Sequence, residues 1–181
     1  MFLADGFEEV EAIAPIDVMR RAGIDVTTVS VDDDGIVIGA HGVALVADAT
    51  IGEIDCQNAD VLVLPGGMPG ASNLAACELL NQALLAHGQA GKTIAAICAS
   101  PAVVLAPLGL LDGRDATCYP SFEPPCEAAG ARMLNQRVVK SGNIITSNGP
   151  SSALPFAFAI VSEVVGGDAA DDVASGMLVN M

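Results

Sequence analysis

The chain has 181 residues, of which 52% are hydrophobic and 16% are charged, so it is long enough for one domain with a substantial core and too apolar to be disordered. Its formal net charge is −15, from 22 acidic and 7 basic residues. This charge argues against binding to nucleic acid or anionic membranes, which requires clustered Lys and Arg. Because no apolar run reaches about 18 residues and no basic, signal-like stretch opens the chain, we expect a soluble, cytoplasmic protein.

The cysteines and histidines do not form a pattern typical of a metal site. The five cysteines include no C-x-x-C pair, and His41 and His87 lie far apart in the sequence. A structural metal or a disulfide framework is therefore not expected, and at least one thiol should be free. His87 falls near the end of a predicted helix, where we expect it at the surface.

The sequence of the first 64 residues predicts several strands, with turns and one helix between them. The turn "DDDG" (32–35) follows a β-branched run, and two short extended runs after it predict a hairpin. Since only four residues precede the turn "DGFEE", the first strand is either short or begins upstream of the numbered sequence. The predicted strands are "MFLA" (1–4), "VTTVSV" (26–31), "GIVIG" (35–39), "VALVA" (43–47) and "DVLVL" (60–64).

The second part continues the alternation of strands and helices. A single composition runs through the chain, without repeats or a linker. Continuous apolar strands separated by helices predict a single α/β domain over residues 1–181, with a mostly parallel sheet covered by helices on both faces. The predicted elements are the helix "LLNQALLAHGQAG" (79–91), the strand "KTIAAIC" (92–98), the helix "SPAVVLAPLGLL" (100–111), the short strand "RDATCYP" (114–120), the hairpin "QRVVKSGNIITSNGP" (136–150) and the helix "SALPFAFAIVSEVVGG" (152–167).

Cys98 stands where a strand of small apolar residues turns into a helix, in "AAICASP". Ligands gather at such ends of parallel strands, and a sharp strand-to-helix turn exposes its side chain. The helix N-terminus would favour a thiolate. The alternative is a buried cysteine that packs as a small hydrophobe, and the local pattern leaves both interpretations open.

Two further strand ends carry residues that could serve the same site. In "LPGG", Gly66 and Gly67 allow backbone N–H groups to approach a developing negative charge, and a tight turn without a functional role explains them equally well. In "GFEEVEA", Glu8, Glu9 and Glu11 lie in the first turns of a helix, where acids are common helix-capping groups. Glu11 differs because it lies among apolar neighbours, and a buried carboxylic acid has a raised pKa and can donate a proton.

These motifs, taken in order, resemble the ThiJ/PfpI superfamily, and most closely its DJ-one-like branch. The resemblance covers nearly the whole chain and implies a flavodoxin-like fold and a homodimer with the pocket close to the interface. Several motifs in register are far more specific than any one alone. The segments that carry it are "GFEEVEA", "DVMRRAGI", "ADVLVLPGGMPGA", "AAICASP" and "TSNGP".

The resemblance also implies roles for individual residues. Cys98 matches the family's reactive cysteine, which lies at a sharp strand-to-helix turn called the elbow. Glu11 matches the acid that hydrogen-bonds the sulfur of that cysteine. Gly67 and the backbone of Ala99 match the N–H groups that hold an anion, while Arg21 in "MRRAG" matches a basic residue near the pocket. Because a thiolate and a carboxylate in contact repel each other, we expect Cys98 to be mostly ionised near neutral pH and Glu11 to be protonated.

The chain departs from the family pattern at three positions. Ala99 follows Cys98 where the peptidase-like branch has histidine, so peptidase activity is not expected. Tyr119 stands where the best-known DJ-one-like members have histidine, and its unperturbed pKa of about 10 makes it a poor base at neutral pH. His41 falls where relatives often carry arginine and could form a second polar wall of the pocket.

Two functions follow from the resemblance, and the sequence does not separate them. The first is a glyoxalase or deglycase, without metal or cofactor, that acts on methylglyoxal or its early protein adducts through Cys98 and Glu11. The second is an oxidative-stress sensor or redox-regulated chaperone in which Cys98 is oxidised without turnover. The partners expected are a second copy of the chain and a small aldehyde or glycated protein.

Overall fold

The structure is a computed structural model that describes residues 1–32 and 35–179. The predicted turn "DDDG" includes residues 33 and 34, which lie outside the described residues. Within the described residues the strands are β1 (Phe2–Leu3), β2 (Val29–Ser30), β3 (Ile36–Ile38), β4 (Ala44–Val46), β5 (Ala49–Thr50), β6 (Val61–Leu64), β7 (Thr93–Ile97), β8 (Asp115–Ala116), β9 (Arg132–Met133), β10 (Val138–Ser141) and β11 (Ile144–Ser147).

The strands pair mostly in parallel. Hydrogen bonds join them in the orders β1-β2-β5 and β10-β11-β7-β6, and two smaller pairs form from β3 with β4 and from β8 with β9. Only β10–β11 and β3–β4 are antiparallel among the described pairs. These two are the hairpins that the sequence predicts. The first strand is short, as expected for the few residues before the turn.

Helices occupy the segments between the strands. A helical turn of five residues, Pro101–Leu105, follows β7 directly. It is shorter than the helix predicted over 100–111, although Pro101 stands in its first turn as expected. The α-helices are α1 (Glu9–Arg21), α2 (Gly70–Ala76), α3 (Glu78–Gln89), α4 (Glu123–Ala128), α5 (Ala153–Val165) and α6 (Gly167–Gly176).

The core lies on both faces of the parallel strands. All five residues of β7 are buried. Ala95 and Ile97 belong to a cluster with α1, α5 and α6, while Ile94 and Ala96 belong to a cluster with α2, α3 and α4. Because successive side chains of a strand point to opposite faces, β7 is the middle layer of an α/β sandwich. The predicted fold is confirmed, and it places the C-terminal end of β7 beside the loop after β6.

No helix among the described residues combines the length and the apolar character that a membrane crossing would need.

Candidate active site

Cys98 occupies a sharp turn at the end of β7. Its φ is +65°, a left-handed conformation that L-residues other than glycine rarely adopt. The Cys98 N–H still donates to the Ser147 carbonyl at 2.9 Å, which continues the pairing of β7 with β11, and Ala99 already accepts from Ala102 as a helical turn begins. The predicted strand–helix junction is confirmed, and its backbone is strained, but only 9% of Cys98 is exposed.

Gly66 and Gly67 pack directly against this turn. A Cβ at Gly66 would lie 2.5 Å from the Cβ of Cys98 and 2.6 Å from Oε2 of Glu11. Gly67 has a φ of +89°, and a Cβ there would meet the backbone N of Glu8 at 2.4 Å. Only glycine fits at these two positions. Because the loop packs so closely against the turn, the Gly67 N–H reaches the Cys98 sulfur.

Glu11 reaches the same point from the first turns of α1. The residue is fully buried, and the Gly66 N–H donates to its Oε2 at 2.9 Å. Its carboxyl group is hydrogen-bonded to the Cys98 thiol. Among the described residues, its Oε1 is the one buried side-chain oxygen or nitrogen that no N–H or O–H group reaches. An unpaired buried oxygen is costly as a carboxylate, whereas a protonated oxygen could donate to the sulfur.

The burial of Glu11 has a different source from the one predicted. The apolar neighbours of Glu11 in the sequence predicted its burial, but Val10 is 51% exposed and Ile13 is 43% exposed. The helix turns these two side chains outward and Glu11 inward. The groups that desolvate Glu11 are the Cys98 elbow and the loop at Gly66.

Burial shifts the pKa of both members of the pair upward. It raises the pKa of Glu11 to about 7, against the opposing effect of hydrogen bonds from Cys98 and Gly66. Burial first, then the charge of Glu11 and the hydrogen bond with it, raises the pKa of the Cys98 thiol to about 12, while the N–H groups of Gly67 and Ala99 lower it. When Glu11 is a carboxylate, Cys98 therefore keeps its proton. The predicted ionised Cys98 requires that the proton lie on Glu11.

The position of the shared proton decides the reactivity of Cys98. The repulsion from Glu11 exists only when Glu11 is a carboxylate, and the hydrogen bond raises the thiol pKa only when the sulfur donates it. With the proton on Glu11 the repulsion is removed and the acid donates to the sulfur. Both arrangements carry a single negative charge, so they interconvert by moving one proton within the pair.

Ser100 joins the elbow to the loop after β6 by a hydrogen bond, a contact that was not predicted from the sequence. Its hydroxyl is fully buried and donates to the Pro65 carbonyl. The residue lies two positions after Cys98, and Pro65 lies one position before Gly66. The bond therefore fixes the distance between the sulfur and the N–H groups of the loop. A hydroxyl directly after a predicted elbow was the available signal.

Tyr119 approaches the elbow from the segment after β8. Its backbone N–H donates to the Cys98 carbonyl at 2.9 Å. A Cβ added at Gly149 would lie 3.4 Å from its ring, so the loop of "TSNGP" forms the other side of this position. The ring is 45% exposed. Tyr119 thus borders the site as predicted.

His41 joins the N-terminal end of α1 rather than the sulfur. Its backbone N–H and its ring Nδ1 both bond the Glu9 carboxylate, at 2.6 and 2.8 Å, and 73% of its side chain is exposed. Glu8 accepts from the Glu11 N–H at 2.8 Å and caps the helix. Ligand atoms of Glu8, Glu9 and His41 lie within 4.8 Å of one another, but Glu9 also accepts from Val43 and already has partners on both oxygens.

One expectation about a basic residue is not met within a single chain, and another is wrong. Arg21 lies ten residues after Glu11, or about 15 Å along α1, and its Nε donates to Asp17 at 2.7 Å. Within one chain the structure does not bring Arg21 to Cys98. His87 was expected at the surface but is only 3% exposed, because its face of α3 packs against the sheet, and its ring lies 3.4 Å from the Asp60 carbonyl.

Comparison with known proteins identifies sequences similar to this chain. The DJ-1/PfpI family model matches residues 1–163. Protein dj-1beta of Drosophila melanogaster is 38% identical over 179 residues, which cover 99% of this chain and 95% of that protein. The glutathione-independent glyoxalase DJR-1.2 of Caenorhabditis elegans is 34% identical over 159 residues, or 88% of this chain and 83% of that protein.

Two relatives from Arabidopsis thaliana are much longer than this chain. Protein DJ-1 homolog A is 39% identical over 97% of this chain, and protein DJ-1 homolog B is 40% identical over 98%. The matches cover 45% and 40% of those two proteins. The chain therefore spans less than half of their length.

Solved structures have the same fold. Oxidised DJ-1 of Toxoplasma gondii superposes with a TM-score of 0.95 at 40% identity, covering 99% of this chain and 97% of that one. Drosophila melanogaster DJ-1beta superposes with a TM-score of 0.94 at 37% identity, covering 99% of this chain and 96% of that one.

Proposed function

Because the chain belongs to the DJ-1/PfpI family, we propose that it is a glyoxalase or deglycase, acting without metal or cofactor on methylglyoxal or its early protein adducts. The observation that carries the proposal is the contact between the Cys98 thiol and the buried carboxyl group of Glu11, whose pKa is raised to about 7. An acid–base group with a pKa near the working pH is efficient in both directions of proton transfer. The C. elegans relative named a glutathione-independent glyoxalase adds support.

The first step is the attack of Cys98 on the aldehyde. The proton of the thiol passes to Glu11, and the sulfur forms a bond to the aldehyde carbon while the carbonyl π electrons move to its oxygen. The backbone N–H groups of Gly67 and Ala99 face the sulfur and stabilise the oxygen anion. Glu11 passes the thiol proton to that oxygen, which gives a hemithioacetal and leaves Glu11 as a carboxylate.

The second step moves hydrogen between adjacent carbons. Glu11 takes the proton from the carbon bonded to sulfur, which gives an enediolate, and returns it to the neighbouring carbon. The hydroxyl proton moves from the first oxygen to the neighbouring oxygen, which gives a thioester. Water then breaks the carbon–sulfur bond and releases lactate and the free thiol. The sum is methylglyoxal plus water giving lactic acid, without redox change. An early adduct of methylglyoxal with a protein amine would release that amine.

The proposal is tested by lactate production from methylglyoxal. We expect Cys98→Ala to abolish it and Glu11→Gln to reduce it strongly. Cys77→Ala is the matched control, because Cys77 is a free, partly buried thiol at the junction of α2 and α3 and leaves the elbow intact. Wild-type lactate production that survives in Cys98→Ala would contradict the proposal.

One observation favours a second function, an oxidative-stress sensor or redox-regulated chaperone. A closely similar solved structure, that of T. gondii DJ-1, is described as oxidised. In this chain a protonated Glu11 could donate to a sulfinate formed at Cys98, and the Gly67 and Ala99 N–H groups would face its oxygens. Rapid peroxide oxidation of Cys98 together with no lactate production in the wild-type chain would select this function.

A further inference from the structure

Two thiols other than Cys98 lie in contact inside the protein. The sulfurs of Cys118 and Cys126 are 3.9 Å apart, and no disulfide joins them. Cys118 is 1% exposed and Cys126 is fully buried. Neither has a part in the glyoxalase steps, so their contact requires a separate explanation.

The thiol pair lies on the opposite face of the sheet from the reacting sulfur. Cys118 and Cys126 belong to the cluster formed with α2, α3 and α4, whereas Cys98 belongs to the cluster with α1, α5 and α6. Cys118 lies just after β8 and Cys126 lies in α4, so a bond between the sulfurs would join two separate elements. The pair can therefore react without Cys98.

We propose that Cys118 and Cys126 form an oxidisable dithiol site that closes to a disulfide when it reacts with a hydroperoxide. A disulfide has an S–S distance of about 2.05 Å, so the two sulfurs must approach each other by about 2 Å. Rotation of the two side chains about their Cα–Cβ bonds would move the sulfurs toward each other without moving the backbone. The reaction therefore needs local adjustment only.

The hydrogen bond between the two sulfurs supports this chemistry. The bond with Cys118 lowers the pKa of Cys126, and the same bond raises the pKa of Cys118. In the neutral pair the Cys126 thiol donates to the Cys118 sulfur, and the Cys118 thiol donates to the Tyr119 carbonyl at 3.4 Å. When Cys126 loses its proton, the Cys118 thiol can turn to donate to the Cys126 thiolate. Since the thiolate is the nucleophile in thiol oxidation, Cys126 is the sulfur that reacts first.

The reaction consumes one hydroperoxide and two thiols. The Cys126 thiolate attacks one peroxide oxygen, the O–O bond breaks, and Cys126 becomes a sulfenic acid while water leaves after protonation. Cys118 then attacks the Cys126 sulfur, the S–O bond breaks and a second water leaves. The two electrons lost by the thiols reduce hydrogen peroxide to two waters.

The oxidant reaches the pair through α4. This helix has only six residues, and Cys126 is the one buried residue among them. Short helices with few buried side chains open locally more readily than core elements. Opening of α4 exposes both sulfurs while β7 and β11 stay paired.

The test uses hydrogen peroxide and the full chain carrying Cys98→Ala, so it does not depend on the proposed catalytic thiol. Arg114 and Arg132 flank the pair with no Lys or Arg between them, so trypsin releases both cysteines in one peptide, 115–132. After peroxide treatment, blocking of free thiols in denaturant and digestion, we expect this peptide to be unblocked and two hydrogens lighter than its reduced form. Reduction before blocking should restore two blocked thiols.

Cys126→Ala and Cys118→Ala are the matched controls, and each should leave a peptide that cannot lose the two hydrogens. Cys56 and Cys77 are partly exposed in the same protein and report that peroxide was effective. Peptide 115–132 with both thiols blocked, when Cys56 or Cys77 is oxidised, would overturn the proposal. A disulfide from Cys118 to Cys56 or Cys77 would also overturn it.

Discussion

The backbone N–H of Gly66 donates a hydrogen bond to Oε2 of Glu11 at 2.9 Å, across 55 residues of sequence. This bond holds one carboxyl oxygen against the loop after β6, and the carboxyl group is also hydrogen-bonded to the Cys98 thiol. The two strand ends and the start of α1 therefore meet at one carboxyl group. The position of Glu11 depends on the absence of a side chain at residue 66.

The first prediction concerns Gly66→Ala. The added Cβ would lie 2.5 Å from the Cβ of Cys98 and 2.6 Å from Oε2 of Glu11, so the acid or the elbow must move. A misplacement of about 1 Å can cost about 100-fold in rate, and we expect lactate production to fall by that order. Gly52→Ala is the control, because nothing lies within 4 Å of its added Cβ. Equal activity of the two variants would show that the packing of Gly66 is not needed.

The second prediction concerns Tyr119, which stands where the best-known DJ-one-like members have a histidine that can act as a base. Tyr119→His places a group with an unperturbed pKa of about 6.5 beside the elbow. If a second acid–base group assists hydrogen transfer, lactate production near pH 7.5 should rise by about tenfold, less than the usual contribution of about 10²–10⁴-fold because the group is added to a site that did not evolve with it. The rate–pH profile should gain an inflection that Tyr119→Phe lacks. A Tyr119→His profile identical to that of Tyr119→Phe would count against this role.

The third prediction concerns the two histidines, whose pKa values should shift in opposite directions. The hydrogen bond and charge of Glu9 raise the pKa of His41 above its usual value of 6.5, whereas burial lowers the pKa of His87 below it. His41 therefore adds stability below pH 6.5 that is lost as pH rises through its folded pKa. His87 removes stability as pH falls below 6.5, because only the unfolded chain takes up that proton.

Ring-proton NMR titration measures both histidines in one sample, since the chain contains only these two. His41→Gln and His87→Gln assign the signals. The surface pair of His41 with Glu9 should also respond to salt, so its pKa should move toward 6.5 at high ionic strength, whereas that of His87 should change little. Titration of both rings at the same pH would show that neither environment is as described.

The fourth prediction is that the chain forms a homodimer. Val10 and Ile13 on α1 and Ile36, Ile38 and Val46 in the β3–β4 hairpin are large apolar side chains that one copy leaves 41–76% exposed. Covering such a surface removes apolar area from water. Light scattering at micromolar concentration should give a dimer mass, and Ile13→Glu should reduce it to a monomer, whereas Leu178→Glu, at an exposed site near the C-terminal end, should not. A monomer mass for the wild type would contradict the prediction.

The local sequence signals predicted the centre of the site well. The apolar strand before Cys98, the paired glycines after β6 and the acid in the first turns of α1 each have a signature within a few residues. Parallel strands then bring their C-terminal ends together, so the fold follows from the same pattern. The local pattern left the role of Cys98 open, and the family resemblance implied the contact between Glu11 and its sulfur.

The contacts that the sequence did not predict join residues that are far apart in the chain. The bond from Ser100 to Pro65 and the contact of Cys118 with Cys126 depend on how the segments pack against each other. The periodicity of apolar residues within one segment does not predict such contacts. The burial of His87 depends on which face of α3 meets the sheet. Arg21 was placed near the pocket by resemblance alone, and the length of α1 separates it from Cys98 within one chain.

The central claim is that Glu11 holds the proton when Cys98 reacts. If Glu11 donates a hydrogen bond to the sulfur anion, its removal should raise the Cys98 pKa. Losing one charge-assisted hydrogen bond costs about 1.5–3 kcal/mol, or about one to two pKa units. If Glu11 instead acts as a carboxylate beside a thiol, its removal should lower the Cys98 pKa, because a neighbouring negative charge disappears.

The deciding measurement is the iodoacetamide alkylation rate of Cys98 against pH, with the other four cysteines replaced by serine or alanine. Glu11→Leu removes both the charge and the donor, and Glu11→Gln removes the charge but keeps an N–H donor. We predict a Cys98 pKa about one to two units above wild type in Glu11→Leu, and one much closer to wild type in Glu11→Gln. A Cys98 pKa below wild type in both variants would contradict the account, because it would show that Glu11 carries the charge.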